Sequence, residues 1–141
     1  MTTPNHLSKC YSAALKMLMR REYSKLELFN KLQLKCYDDD IINSAITKLA
    51  NQNYQSDDRF SEAFILMRYN QGKGPIKIAS ELKLRGISTF DLSNYDWFKS
   101  AKEIREKKFG DSSSIDFKEQ AKQKRFLQSR GFGLDQINQA F

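Results

Sequence analysis

Hydrophobic residues recur three or four positions apart along most of this chain, with polar residues between them. Because residues at this spacing share one face of an α-helix, the pattern predicts an all-α protein. The clearest stripes are Leu7, Tyr11, Ala14, Leu15 and Leu18; Ile42, Ala45, Ile46 and Leu49; Phe60, Phe64 and Met67; Ile78, Ala79 and Leu82; and Trp97, Ala101 and Ile104. Phe117 is also interpreted as a core residue.

A short helix-ending pattern occurs three times, at residues 32–37, 82–87 and 127–132. Each copy has a leucine, a base three residues later, a small residue and then an apolar or aromatic residue. A basic last turn faces the negative end of the helix dipole, and glycine suits the left-handed conformation that follows a helix. Gly86 and Gly131 meet this requirement. Cys36 takes the glycine position in the first copy, so a cap that is strained or different in detail is expected there.

This periodicity predicts three tandem three-helix repeats of helix-turn-helix-like type, covering residues 1–55, 56–95 and 96–141. They are expected to form an elongated curved molecule with nine helices, of which the sixth runs through Phe90 and Leu92. Ser24 and Glu27 form a predicted capping box at one helix start.

The charge of the chain favours an anionic partner. Its 24 lysines and arginines exceed its 17 acidic residues, giving a formal net charge of +7. All three predicted repeats share the excess, which suits contact with a long polyanion such as nucleic acid. The alternative is a solvated surface with surplus lysine.

The sequence offers little for catalysis. Its one histidine, His6, lies near the start of the sequence, and its two cysteines are not at metal-ligand spacing, so a histidine-based triad or a metal site has little support. The acidic run at residues 38–40 lacks the ligand spacing of a calcium loop and is interpreted as a helix start. Residues 72–75 lack the Lys-Ser/Thr ending of a phosphate-binding loop. We predict no catalytic residue, metal or cofactor, and hence no enzyme.

Neither a secretion signal nor a membrane span is recognisable in the sequence. Residues 1–5 lack the basic flank and apolar run of a signal peptide. No apolar stretch approaches the roughly 20 residues that cross a bilayer. A cytoplasmic protein with reduced thiols and no membrane partner is therefore expected.

Several basic residues are candidate contacts for a filament or for DNA. Lys73 and Lys77 flank a Gly-Pro turn, where the following helix N-terminus should add positive field. Lys118, Lys122 and Arg125 share one helix face. The full candidate set is Arg20, Arg21, Arg68, Lys73, Lys77, Lys83, Arg85, Lys118, Lys122 and Arg125. The alternative is that these charges simply solvate helix faces.

Three motifs together resemble the RecX family of recombination regulators. Residues 58–68 follow the pattern Asp-x-Phe-x-x-x-Phe-x-x-x-Arg, and residues 74–87 follow Gly-Pro-x-x-Ile-x-x-x-Leu-x-x-x-Gly-Ile. Residues 21–32 resemble the family's first-repeat motif, with Arg-x-Tyr-Ser-x-x-Glu-Leu-x-x-Lys-Leu. The resemblance extends over residues 11–137, departs from the family at Cys36 and is weaker in the third repeat.

The resemblance implies a non-enzymatic, monomeric regulator of homologous recombination and the SOS response. Such a protein binds the RecA recombinase and its filament on single-stranded DNA, with possible direct DNA contact. It limits filament extension and so restrains ATP hydrolysis, strand exchange and coprotease activity. Two other hypotheses remain: a helix-turn-helix protein that binds duplex DNA without RecA, and an adaptor that contacts proteins alone.

Overall fold

The computed structural model describes residues 4–111 and 116–141, and all regular secondary structure within them is α-helical. The helices are α1 (Pro4–Arg20), α2 (Lys25–Leu34), α3 (Asp39–Asn51), α4 (Asp57–Asn70), α5 (Pro75–Leu84), α6 (Trp97–Phe109), α7 (Phe117–Ser129) and α8 (Leu134–Asn138). The all-α prediction is therefore confirmed.

The chain divides into two compact units. Unit 1 consists of the described residues up to Ala63 together with Lys83–Phe90, and unit 2 consists of Phe64–Leu82 and the described residues from Asp91 onward. The three boundaries fall inside α4, near the end of α5, and between Phe90 and Asp91 in the segment before α6.

The core of unit 1 lies among α1, α2 and α3. Leu28 and Leu32 of α2 are fully buried, and α3 contributes the face that the sequence predicted. The predicted stripe of α1 is partly wrong: Cys10 and Ala14 are fully buried, whereas Leu7 is exposed. The small side chains of Cys10 and Ala14 let α1 pack closely against α3.

Two helix starts in unit 1 differ in how they are capped. The predicted capping box is present, since Ser24 Oγ accepts from Glu27 N at 3.1 Å and Ser24 N donates to Glu27 Oε1 at 3.2 Å. Asp38 occupies the cap position of α3, but its side chain makes no capping hydrogen bond. Asp39 and Asp40 lie in the first turn. The acidic run therefore acts on α3 through the helix dipole.

The three repeated helix endings adopt the left-handed conformation. Gly86 and Gly131 have φ of 81° and 98°, and Cys36 has φ of 67°. An L-residue with a Cβ pays a conformational penalty there, so the strain expected at Cys36 is confirmed. Asn53 and Gly72 end α3 and α4 in the same way, with φ of 64° and 79°. These two endings lie outside the pattern that the sequence revealed.

The core of unit 2 includes α6, α7 and α8. Trp97, Leu127 and Phe132 are buried in it, and so is the charged side chain of Arg105. Arg105 Nε donates to the backbone carbonyl of Ala140 at 2.6 Å. This charge-assisted bond fixes the backbone after α8 to α6.

The predicted sixth helix is absent from residues 87–96, so the described residues hold eight helices where nine were expected. The carboxylate of Asp91 accepts hydrogen bonds from the Ser93 amide at 2.8 Å and the Ser93 hydroxyl at 2.6 Å. Such local bonds compete with helix formation. They also lower the pKa of Asp91. Trp97 Nε1 then binds the Leu92 carbonyl at 2.8 Å, which fastens the loop to α6.

Besides Leu7, the predicted core residues Met67 and Phe117 are exposed. Phe117 is 86% exposed, because it is the first residue of α7 and extends beyond the packed turns. Met67 is 45% exposed, whereas Ile65 on the same helix is buried. The other predicted aromatic core residues, Phe60, Phe64 and Trp97, are buried. The helical spacing of α4 was thus predicted correctly, but its buried face includes Ile65 and not Met67.

Substituting Cys36→Gly should raise the free energy of unfolding. Relief of left-handed strain, about 1–2 kcal/mol, exceeds the cost of added unfolded-state flexibility, about 0.5–1 kcal/mol. The Cys36 side chain is exposed, so little packing is lost. We expect a net gain of about 0.5–1 kcal/mol in urea unfolding. Asn53→Gly is the matched control, because asparagine tolerates this conformation. Equal gains in the two variants would contradict the strain explanation.

Candidate basic interface

The start of α5 lies directly against the turn that ends α7. Gly74 N donates to the Arg130 carbonyl at 2.7 Å, and Ile76 N donates to the Gly131 carbonyl at 2.9 Å. The backbones are so close that a Cβ on Gly74 would overlap the Gly131 carbonyl group, and a Cβ on Gly131 would overlap Lys77. We call this contact the glycine junction.

The glycine junction uses two of the amides at the start of α5. Helix N-termini attract anions through amides that have no intrahelical partner. Here the Gly74 and Ile76 amides donate to protein carbonyls, and Pro75 has no amide hydrogen. These amides are therefore not open to an anion. An anion at this end of α5 would therefore meet the basic side chains and the positive end of the helix dipole rather than these two amides.

Four basic side chains surround the glycine junction: Arg68, Lys73, Lys77 and Arg130. We call them the basic cluster. Burial lowers the pKa of the Lys73 ammonium, and the positive charges of Arg130, Lys77 and Arg68 lower it further. The Glu81 carboxylate acts in the opposite direction. The cluster therefore repels itself electrostatically, and an added anion would relieve this repulsion.

Arg68 is the most tightly held member of the basic cluster. Its Nη2 lies 2.7 Å from Glu81 Oε2, and its Nη1 donates to Gln71 Oε1 at 2.8 Å. Its guanidinium carbon is 5.3 Å from the centroid of the Phe64 ring. Glu81 already pairs with Arg68. The other three members of the cluster are therefore better placed to meet an external anion.

Two of the candidate basic residues in unit 1, unlike Lys73 and Lys77, lie next to a carboxylate. Arg21 Nη1 and Arg85 Nε lie 3.3 Å and 3.6 Å from the two carboxylate oxygens of Glu27. The Arg21 guanidinium also lies 3.6 Å from the centroid of the Tyr23 ring. Arg21 and Arg85 thus stabilise the start of α2. Arg20 and Lys83 are exposed in the same unit.

The candidate residues of α7 are exposed as their spacing suggested. Lys118, Lys122 and Arg125 all have solvent-accessible side chains, whereas Gln123 and Leu127 of the same helix are buried. The three bases lie on the face away from the core of unit 2. Their role in binding stays a prediction.

Sequence reasoning missed Arg130 as a candidate residue. It lies in the third helix-ending pattern, where a base is explained by the helix dipole. Arg130 follows Lys73 by 57 positions, and the glycine junction brings them into one cluster. Gly74 of the Gly-Pro turn and Gly131 of the third helix ending are the residues that could have indicated this contact. Neither motif taken alone shows that the two glycines meet.

The described residues hold no cluster of three or more histidine, cysteine, aspartate or glutamate side chains that could bind a metal ion. Among the helices of residues 4–111 and 116–141, none is both long and apolar enough to cross a membrane.

Comparison with known families shows which proteins this chain is related to. The first, second and third three-helix domains of RecX match residues 10–49, 56–91 and 94–141 respectively. The chain belongs to the RecX family. Regulatory protein RecX of Acinetobacter baylyi is 39% identical over 137 residues, covering 94% of this chain and 86% of the relative. The Legionella pneumophila RecX is 38% identical over 141 residues, covering 96% of this chain and 94% of the relative.

RecX crystal structures also match this chain. RecX from Lactobacillus salivarius superposes with a TM-score of 0.82 at 26% identity, covering 98% of this chain and 96% of that structure. A second RecX structure matches in fold with a TM-score of 0.81 at 19% identity, covering 94% and 71% of the two chains. The chain thus has the fold of a family of regulatory proteins.

Gly74→Ala should destabilise the protein by about 2 kcal/mol, because the new methyl group would displace the Gly131 backbone. Gly133→Ala is the matched control. Neither glycine has a positive φ, and the nearest atoms to a Cβ at Gly133 are 3.7 Å away. The control should cost less than about 1 kcal/mol. Urea unfolding measures both variants, and equal losses would show that the tight approach is not required.

Proposed function

We propose that this protein regulates homologous recombination and the SOS response by binding RecA and the RecA filament on single-stranded DNA. Binding limits filament extension and so restrains ATP hydrolysis, strand exchange and coprotease activity. The observation that carries the proposal is the match of RecX domain models in succession along the chain. The name of these relatives, regulatory protein RecX, supports a regulatory role rather than catalysis.

The basic cluster supports a polyanionic target. It contains four bases, and the acid that opposes their effect on Lys73 is Glu81. Because its charges repel one another, contact with a phosphate backbone or an acidic protein surface gains electrostatic energy. A nucleoprotein filament presents both kinds of surface.

The modular sequence supports contact with a repeating target. We propose that the regions 1–55, 56–95 and 96–141 act as three linked contact modules. Linking weak contacts raises the effective concentration of each later one, so avidity exceeds the affinity of any single module. A monomer could then compete with incoming RecA protomers, and the proposed location of this activity is the cytoplasm.

The double variant Lys73→Glu with Lys77→Glu should weaken inhibition of the single-stranded-DNA-dependent ATPase of RecA. Reversing two charges replaces attraction to an anionic surface with repulsion, so we expect at least about a tenfold higher concentration for half-inhibition. The measurement uses substoichiometric amounts of this protein and RecA filaments assembled on single-stranded DNA. The matched control is Lys9→Glu with Lys102→Glu, which changes the charge equally at exposed positions outside the cluster.

Three outcomes of that experiment decide the proposal. Strong inhibition by wild type and by the control, but weak inhibition by the cluster variant with unchanged helical circular dichroism, supports it. Equal inhibition by both variants would reject the basic cluster as the contact. No inhibition even by excess wild-type protein would reject RecA regulation, and tight duplex binding without RecA would then favour the helix-turn-helix alternative.

A further inference from the structure

A groove of about 270 Å³ lies within unit 2, where α4, α6 and α7 end. Its walls carry the positive side chains of Lys107, Lys108 and Arg130, and Phe126 forms an aromatic surface. None of the described residues that line the groove is acidic. The groove therefore combines positive charge with an aromatic ring.

The Phe126 ring is held by its neighbours. The Phe109 ring packs edge-on against it, with a centroid distance of 5.3 Å and an interplanar angle of 89°. Lys108 Nζ lies 5.4 Å from the Phe126 centroid, and the Arg130 guanidinium carbon lies 5.0 Å from it. Cations over an aromatic ring are held weakly when they are exposed. Lys108 is exposed, so its ammonium can move from the ring to an anion.

The size of the groove bears on its ligand. Pockets that enclose a whole small molecule have volumes of about 300–1,000 Å³ and are mostly apolar. This groove is smaller and carries three cations. Those properties fit one unit of a polyanion that continues across the surface. Arg130 belongs to both the groove and the basic cluster, so a chain of phosphates leaving the groove would meet Lys73 and Lys77 next.

We infer that the groove holds one nucleotide of a single DNA strand. The base stacks on Phe126, while the adjacent phosphates contact Lys107, Lys108 and Arg130. A single strand is favoured over a duplex because an unpaired base can leave its neighbours and present its face to an aromatic side chain. The inference rests on the proposed binding to the RecA filament on single-stranded DNA and deepens it by assigning contact with the single strand to named residues.

The first test measures salt dependence without RecA. Fluorescence anisotropy follows binding of the full chain to a fluorescein-labelled oligo-dT over a range of salt concentrations. Each lost phosphate contact on a single strand reduces the slope of log K against log salt by about 0.7. Lys107→Gln with Lys108→Gln should therefore reduce the slope by about 1.4. The control Lys9→Gln with Lys102→Gln removes two exposed charges outside the groove and should leave the slope unchanged.

The second test asks whether Phe126 recognises a base. Phe126→Leu should weaken binding to oligo-dT about tenfold, since stacking on an aromatic ring is lost, and should leave the salt slope unchanged. An abasic oligonucleotide has the same phosphates but no bases, so wild type and Phe126→Leu should bind it equally. Phe109→Leu is the packing control: it disturbs the same ring pair, but Phe109 does not line the groove.

Comparing the loss of affinity caused by Phe126→Leu on oligo-dT with the loss on the abasic strand separates base stacking from a packing effect. A tenfold effect of Phe126→Leu on oligo-dT but not on the abasic strand supports the inference. Equal effects on both strands, an unchanged slope in the double lysine variant, or no binding of wild type at low salt would overturn it. If Phe126→Leu instead weakens RecA binding in the absence of DNA and leaves oligo-dT binding intact, the groove contacts protein and the inference is wrong. RecA ATPase inhibition is measured separately, so either proposal can fail while the other stands.

Discussion

The arrangement of basic side chains in unit 2 depends on one backbone contact, the glycine junction. Two amides at the start of α5 donate to two carbonyls just after α7, where glycines let the two backbone segments approach closely. The helix ends therefore satisfy each other's unpaired groups. Lys73 and Lys77 come from one side of this contact and Arg130 from the other. This contact holds the charges of the two segments together in one cluster.

The energetic cost of the basic cluster follows from the depressed pKa of Lys73. Its folded pKa lies below its ordinary value, because burial and three neighbouring cations disfavour the charged form. The cluster therefore reduces stability at a pH below that folded pKa, and the reduction is relieved as pH rises through it. Binding an anion opposes the same shift and returns Lys73 toward its ordinary pKa. If the cluster binds an anion as proposed, stability and binding are coupled at this position.

Much of the local structure was predictable from the sequence, because it depends on neighbouring residues. The capping box at Ser24 and the strained turn at Cys36 follow from contacts within a few positions, and both are present. The prediction of the sixth helix was wrong for an equally local reason, because the Asp91–Ser93 hydrogen bonds compete with helix formation. The basic cluster and the groove were less accessible to prediction. Arg130, Lys107 and Lys108 reach their common site through tertiary packing, which periodicity within one helix does not reveal.

The strained turn after α2 also makes the protein convenient to study. Of its two thiols, Cys36 is exposed, whereas Cys10 is buried. Burial raises the pKa of the Cys10 thiol, so less of it is present as the reactive thiolate. A maleimide dye should therefore attach to Cys36 first. Cys36 thus provides a preferred attachment point on unit 1, remote in sequence from the basic cluster, from which binding can be followed optically.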